Sequence, residues 1–203
     1  MSWFAAVAET MTLSPDRVVP SCVWLEACEN YQKQTWRNRC RIFAAGGPEN
    51  LLVPVLHDGR TGIRDIRVDY SEPWVQRTER AIDSAYESSA YFEYYRDELF
   101  PLLDARPETL WELNLSLIRF FLDKTGIAAD LRFTEDFHRE VTSMPDYRSL
   151  IHPKKPDPVL PRLGLEKPYF QVFAHKFGFQ PNLSVMDLLF NEGPDSILWL
   201  KRL

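Results

Sequence analysis

The chain has 203 residues, of which 45% are hydrophobic and 26% charged, and a formal net charge of −5. That length supports a sizeable buried core, and the acidic balance excludes a general nucleic-acid or anionic-membrane surface, because both polyanions repel a net-negative body. Thirteen Phe, eight Tyr and six Trp predict an aromatic-rich core whose hydroxyl and indole groups need partners.

Residues 2–9 have short helical character, and Ser14-Pro15-Asp16 marks a turn. The apolar, β-branched run at residues 18–25 then reads as a buried strand in its second half. Residues 41–45 and 51–56 are apolar runs of strand length around Gly46-Gly47-Pro48-Glu49-Asn50, which predicts a β-hairpin near residues 41–56. Pro54 cannot donate to a ladder, so its strand is expected at an edge or with a bulge. Ile63, Ile66 and Val68 among charged neighbours, after the Asp58-Gly59 turn, predict another strand over residues 63–68.

Three helices are expected between residues 71 and 126. Ser71 is placed to cap the first, Pro73 suits its first turn, and Trp74, Thr78, Ile82 and Ala85 share one face. The second covers residues 90–103, with Phe92, Tyr95, Leu99 and Leu102 inward and Pro101 bending or fraying its end. Pro107-Glu108-Thr109 opens the third, where Leu110, Leu113, Leu117, Phe120 and Phe121 repeat at helical spacing until Gly126. Residues 131–134 form a short strand. Five prolines and Lys154-Lys155 predict an ordered, irregular loop over residues 149–168. Residues 169–176 read as helical, residues 184–191 as a helix capped by Ser184 and stopped at Gly193, and a last helix runs from Asp195 to Lys201-Arg202. Early strands, central helices and a mixed end predict an α+β (mixed α/β) fold in a single domain over residues 1–203.

The segment from Glu26 to Arg41 holds most of the polar chemistry. Arg37, Arg39 and Arg41 stand two apart, so an extended segment would project all three from one face, with Asn38 and Cys40 opposite. Such a row needs an anion, either a phosphate or carboxylate ligand or the chain's own Glu26 and Glu29 in an internal network. Glu29 is a candidate acid or base. Cys22, Cys28 and Cys40 lack Cys-x-x-Cys spacing and read as buried hydrophobes, and His57, His138, His152 and His175 form no metal motif. Neither a metal nor a cofactor is expected. Asp187 and Asn191 fall four apart on one helical face, where Asp187 either handles a proton or serves as a hydrogen-bond partner in the core. Standard dinucleotide, P-loop, hydrolase-elbow and zinc-protease motifs are missing. Residues 2–8 lack the basic flank of a secretory leader, and no apolar run reaches the roughly 18 residues that span a bilayer, so a cytoplasmic protein without membrane insertion is expected.

The pattern Tyr31-x-Lys33-x-x-Trp36-x-Asn38-Arg39-x-Arg41, together with the stretch from Lys167 through Gln171, Ser184 and Asp187 to Gly193, resembles the WbqC-like family. The resemblance implies that Tyr31, Lys33, Asn38 and Arg39 join Gln171, Ser184 and Asn191 in binding substrate, and in such a site Asp187 or Glu29 is expected to handle a proton. It also implies a transferase acting on a nucleotide-sugar or carrier-linked sugar in surface-polysaccharide or O-antigen biosynthesis, with aminoacyl, notably glycyl, transfer as the proposed step. The alternative is a non-catalytic binding or assembly protein that uses the acid–cation motif as a structural network. Relatives usually begin with a strand, so in this chain that strand is expected to be missing or replaced by residues 18–23.

Overall fold

The computed structural model describes residues 7–10, 22–57, 59–139, 141, 146–148, 151–154, 159–164 and 166–200. Its architecture is α+β, with small sheets around a central set of helices. Strand β1 (Val7–Thr10) pairs antiparallel with β2 (Cys22–Leu25), so residues 7–9 are extended rather than helical. The turn expected at residues 14–16 and the first half of the 18–25 run lie outside the described residues.

A 3-10 turn at Trp36–Asn38 leads into β3 (Arg39–Ala44), which pairs antiparallel with β4 (Gly47–Leu52). The expected hairpin is present but turns earlier, at Ala45-Gly46, so that Pro48, Glu49 and Asn50 belong to β4. A two-stranded sheet is all edge, which is why Pro48 opposite Phe43 is tolerated without its donor. Pro54 separates β4 from β5 (Val55–Leu56), which pairs with β6 (Arg67–Val68). The strand predicted over residues 63–68 shrinks to β6, although Ile63 and Ile66 are buried as expected.

Helix α1 (Trp74–Tyr86) buries Trp74, Thr78, Ile82 and Ala85, and α2 (Phe92–Asp104) continues through Pro101. Ser71 does not cap α1; its amide instead donates to Asp69 Oδ1 at 2.9 Å. Helix α3 (Leu110–Lys124) starts with a capping box, in which the Thr109 hydroxyl and Glu112 amide pair at 3.1 Å and the Glu112 carboxylate accepts from the Thr109 amide. Because 3.6 residues make a turn, α3 presents two apolar stripes. Leu110, Leu113, Leu117 and Phe121 face the main core, while Trp111, Leu115, Ile118 and Leu122 pack on Val23 and Leu25 of β2. The parallel partner of β2 is β7 (Asp130–Phe133).

In the C-terminal third, residues 151–154 are irregular as expected, but residues 159–163 form the short helix α4 (Val159–Leu163). Residues 169–173 are not helical, and only α5 (Ala174–Phe177) forms there. Ser184 caps α6 (Val185–Glu192), its hydroxyl accepting from the Met186 amide at 3.3 Å. Gly193, at φ +56, ends α6, and a 3-10 turn (Gly193–Asp195) leads into α7 (Ser196–Leu200). Lys201 and Arg202, the expected end of that helix, lie outside the described residues. No helix among the described residues is long and apolar enough to cross a membrane.

Candidate functional site

The polar segment divides into a closed ion-pair network and an open cationic turn. In the closed part, Arg37 sits in the 3-10 turn and is buried, so it does not share an extended face with Arg39 and Arg41 as the two-residue spacing suggested. Its Nε and Nη2 donate to the two Glu29 carboxylate oxygens at 2.7 and 2.8 Å. Burial pushes the Glu29 carboxyl up, while Arg37 beside it pulls it back. Glu26 is likewise enclosed: Oε1 accepts from the Thr134 hydroxyl at 2.7 Å and the Cys28 amide at 2.8 Å, and Oε2 accepts from Arg148 Nη1 at 2.9 Å. Arg148 also donates from Nη2 to Asp146 at 2.7 Å, which holds that carboxyl below its usual range. Sequence reasoning missed Asp146 and Arg148, because 122 residues separate Arg148 from Glu26.

The open part begins at Tyr31. Thr35 Oγ1 donates to the Gln32 carbonyl at 2.9 Å, and Gln34 takes the left-handed φ of +59, so Lys33 and Gln34 stand exposed at the apex of a tight turn. Arg39 opens β3, where Arg39 and Arg41 alternate with the fully buried Cys40 and Ile42. Arg41 lies over the Trp36 ring at 5.4 Å. Arg39 Nε is buried and meets no hydrogen-bond partner. The Tyr31 phenol is pushed up by burial and drawn back by the charges of Arg39 and Arg37. Asn38 donates to the Val53 carbonyl at 2.9 Å, leaving its own Oδ1 buried and unpartnered.

His57, read from sequence as a surface or core residue, meets Tyr31 edge-on at 5.4 Å between ring centroids, and its buried Nδ1 lacks a partner. Its only signal in the sequence was its place directly after an apolar run. Burial pushes the Cys40 thiol up, away from thiolate chemistry, and Cys28 Sγ donates to the Thr134 carbonyl.

The second motif forms a separate cage around Asp187, a side chain 1% exposed. Oδ1 accepts from the Tyr86 hydroxyl at 2.9 Å, and Oδ2 accepts from the Tyr169 hydroxyl at 2.6 Å and Gln171 Nε2 at 3.0 Å. Gln171 Oε1 accepts from the Gln180 amide, and Asn191 Nδ2 donates to the Asp187 main-chain carbonyl. All three donors to the carboxylate are neutral, so burial dominates and lifts the Asp187 carboxyl to about 6. His175 is exposed, its Nδ1 lying 3.0 Å from the Val172 carbonyl.

The two motifs meet along β3, where the Ser184 amide donates to the Arg41 carbonyl at 2.8 Å and the Phe43 amide reaches the Tyr86 hydroxyl at 3.3 Å. Among the described residues, no hydrogen bond or ion pair joins Lys33 or Arg39 to Gln171 or Asp187. Ser184 also borders a small cleft of about 50 Å³ with Lys167, Tyr169, Asn182 and Trp199. No group of His, Cys, Asp and Glu among the described residues has the arrangement to hold a metal.

Fold and site together define an α+β protein that pairs the buried Arg37 and Arg148 with carboxylates internally and leaves Lys33 exposed at a turn. Residues 21–151 match the WbqC-like protein family, and the chain belongs to that family. It is also similar to the uncharacterized protein Rv1507c of Mycobacterium tuberculosis, 27% identical over 198 residues and covering 84% of both chains. No solved structure matches this chain.

Proposed function

We propose that this protein is a transferase acting on an anionic sugar precursor, a nucleotide-sugar or carrier-linked sugar, in surface-polysaccharide or O-antigen biosynthesis. The reaction that fits the family is transfer of an aminoacyl group, glycyl in its simplest form, onto the sugar. The observation that carries this reading is Arg39, whose buried Nε has no partner while Nε and Nη2 of the nearby Arg37 both meet Glu29. A buried guanidinium N–H left unmet costs free energy unless a ligand supplies the acceptor. Tyr31 and Lys33 complete the anion-binding edge, and Asn38 and His57 flank it. Asp187, Gln171, Ser184 and Asn191 act from the second motif; in this reading Asp187 and Gln171 hold the C-terminal segment against β3, and Glu29 keeps Arg37 in place.

The test is equilibrium binding of UDP-N-acetylglucosamine to the native protein and to Arg39→Ala. Loss of binding by about tenfold or more, with little change in melting temperature, supports the site. Unchanged binding, or a fall in melting temperature alone, overturns it. The closed Glu26–Arg148–Asp146 and Glu29–Arg37 network favours the second reading, a non-catalytic binding or assembly protein. Turnover distinguishes the two, because a binding protein retains the sugar without transferring an aminoacyl group to it.

A further inference from the structure

The small cleft beside Ser184 is lined by the rings of Tyr169 and Trp199, 6.1 Å between centroids, by Leu188, and by the polar side chains of Lys167, Asn182 and Ser184. Its volume of about 50 Å³ admits roughly three to five non-hydrogen atoms, since one water needs about 10–15 Å³. The Tyr169 hydroxyl is spent on Asp187 at 2.6 Å, so this residue offers the cleft its ring. Lys167 is half-buried, and among the described residues no acid pairs with it. Helix α6 opens at the same place, since Ser184 and Val185 both line the cleft. The Met186 amide donates to the Ser184 hydroxyl at 3.3 Å and the Asp187 amide to the Ser184 carbonyl at 2.9 Å, whereas the buried Val185 amide meets no acceptor among the described residues. The Ser184 side chain is 2% exposed, and because its oxygen accepts from Met186 it keeps its own proton to donate.

We propose that this cleft binds a short-chain monocarboxylate of acetate to propionate size, its carboxylate held by Lys167 and the N-terminus of α6 and its alkyl end set against Trp199 and Leu188. Lys167, the Ser184 hydroxyl proton and the Val185 amide are all donors, and no lining residue is acidic, so the cleft selects an anion. Phosphate has the right number of atoms but sets its oxygens against the apolar wall, whereas an alkyl stem gains by leaving water there. The ammonium group of a free amino acid finds no carboxylate among the lining side chains. Asp187, on the same helix, turns its carboxylate to Tyr86, Tyr169 and Gln171 and does not line the cleft. The inference goes beyond the anion site proposed above, because none of the lining residues belongs to the segment from Tyr31 to Arg41.

The experiment is NMR titration of the full chain, and of its Lys167→Met variant, with sodium propionate, propionamide and sodium phosphate at neutral pH and constant ionic strength. Propionate is expected to shift the Val185 amide and Trp199 indole resonances saturably, and propionamide and phosphate to bind about tenfold more weakly or worse. Lys167→Met keeps an apolar stem of similar length and is expected to weaken propionate about tenfold while leaving propionamide within about twofold. Propionamide as tight as propionate overturns the carboxylate assignment. Phosphate as tight as propionate overturns the role of the apolar wall. Unchanged propionate affinity in Lys167→Met overturns Lys167 as the anchor, and the absence of saturable shifts at Val185 and Trp199 in the native chain removes the site itself.

Discussion

The Asp187 cage makes a signed prediction about pH. Tyr86, Tyr169 and Gln171 surround the carboxylate with neutral donors, and burial lifts its carboxyl from 3.8 to about 6. Between those values the folded chain binds a proton that the unfolded chain releases. The stabilising contribution of that proton is therefore fully present below 3.8 and is lost as pH rises through about 6. A separation of about two pH units, at about 1.4 kcal/mol each, makes the loss about 3 kcal/mol. The Asp187→Asn variant has no titrating group here, although it turns an amide toward Gln171 Nε2 and loses that hydrogen bond at every pH. Urea unfolding of both proteins from pH 4 to 8 isolates the effect, because other carboxylates cancel in the difference. The stability of the native chain relative to the variant should fall by about 2–3 kcal/mol between pH 4 and 7 and then level off. A difference that stays flat, or rises with pH, refutes the reasoning.

Arg37→Ala leaves Glu29 charged and buried without its partner, so urea unfolding at pH 7 should show a loss of about 3–5 kcal/mol. A loss under about 1 kcal/mol would mean that water reaches Glu29. Gly193→Ala places a Cβ 2.5 Å from a Tyr91 ring carbon at a left-handed φ, so thermal unfolding should show a destabilisation of about 1–3 kcal/mol, part of which Tyr91→Ala restores. Thr109→Ala removes one half of the capping box and should cost about 1 kcal/mol of stability, measured by denaturant unfolding.

Local patterning was legible where one signal acted alone. The apolar stripes of α1, α2 and α3, the Ser184 cap and the presence of a hairpin after Arg41 all follow from short-range patterning, although residues 41–44 pair with 47–50 and not with the expected run 51–56. The hairpin turn moved because Ala45-Gly46 closes a two-residue loop, and a two-stranded sheet accepts Pro48 where a central strand would not. Residues 7–9 looked helical because their apolar character has no strong period, yet pairing with Cys22–Leu25 makes them a strand. The site was legible as a set of polar residues but not as a geometry. Spacing alone put Arg37 in line with Arg39 and Arg41, whereas the 3-10 turn at Trp36–Asn38 rotates it inward onto Glu29. Contacts such as Arg148 with Glu26 and Lys154 with Gln34 leave no local trace, because each joins chain segments more than a hundred residues apart.

The two halves of the acid–cation segment differ in how they treat charge. Arg37 and Arg148 lie in the interior, where an unpaired cation is costly, and each has a carboxylate within 3 Å. Arg39, one residue beyond the 3-10 turn, has its Nε equally enclosed but no acid beside it among the described residues. Folding stability alone would favour a neutral side chain or a nearby Asp or Glu at that point. The closed network makes the contrast mechanically useful: Glu29 fixes Arg37, the Asn114 side chain holds the Arg37 carbonyl at 2.8 Å, and the Asn38 side chain and main chain tie the turn to Val53. Arg39 therefore emerges from a braced turn, and an anion meeting it need not order the backbone first. In the proposed site, preorganisation of this kind would let Arg39 act as a binding residue rather than as an arginine that merely lacks a partner.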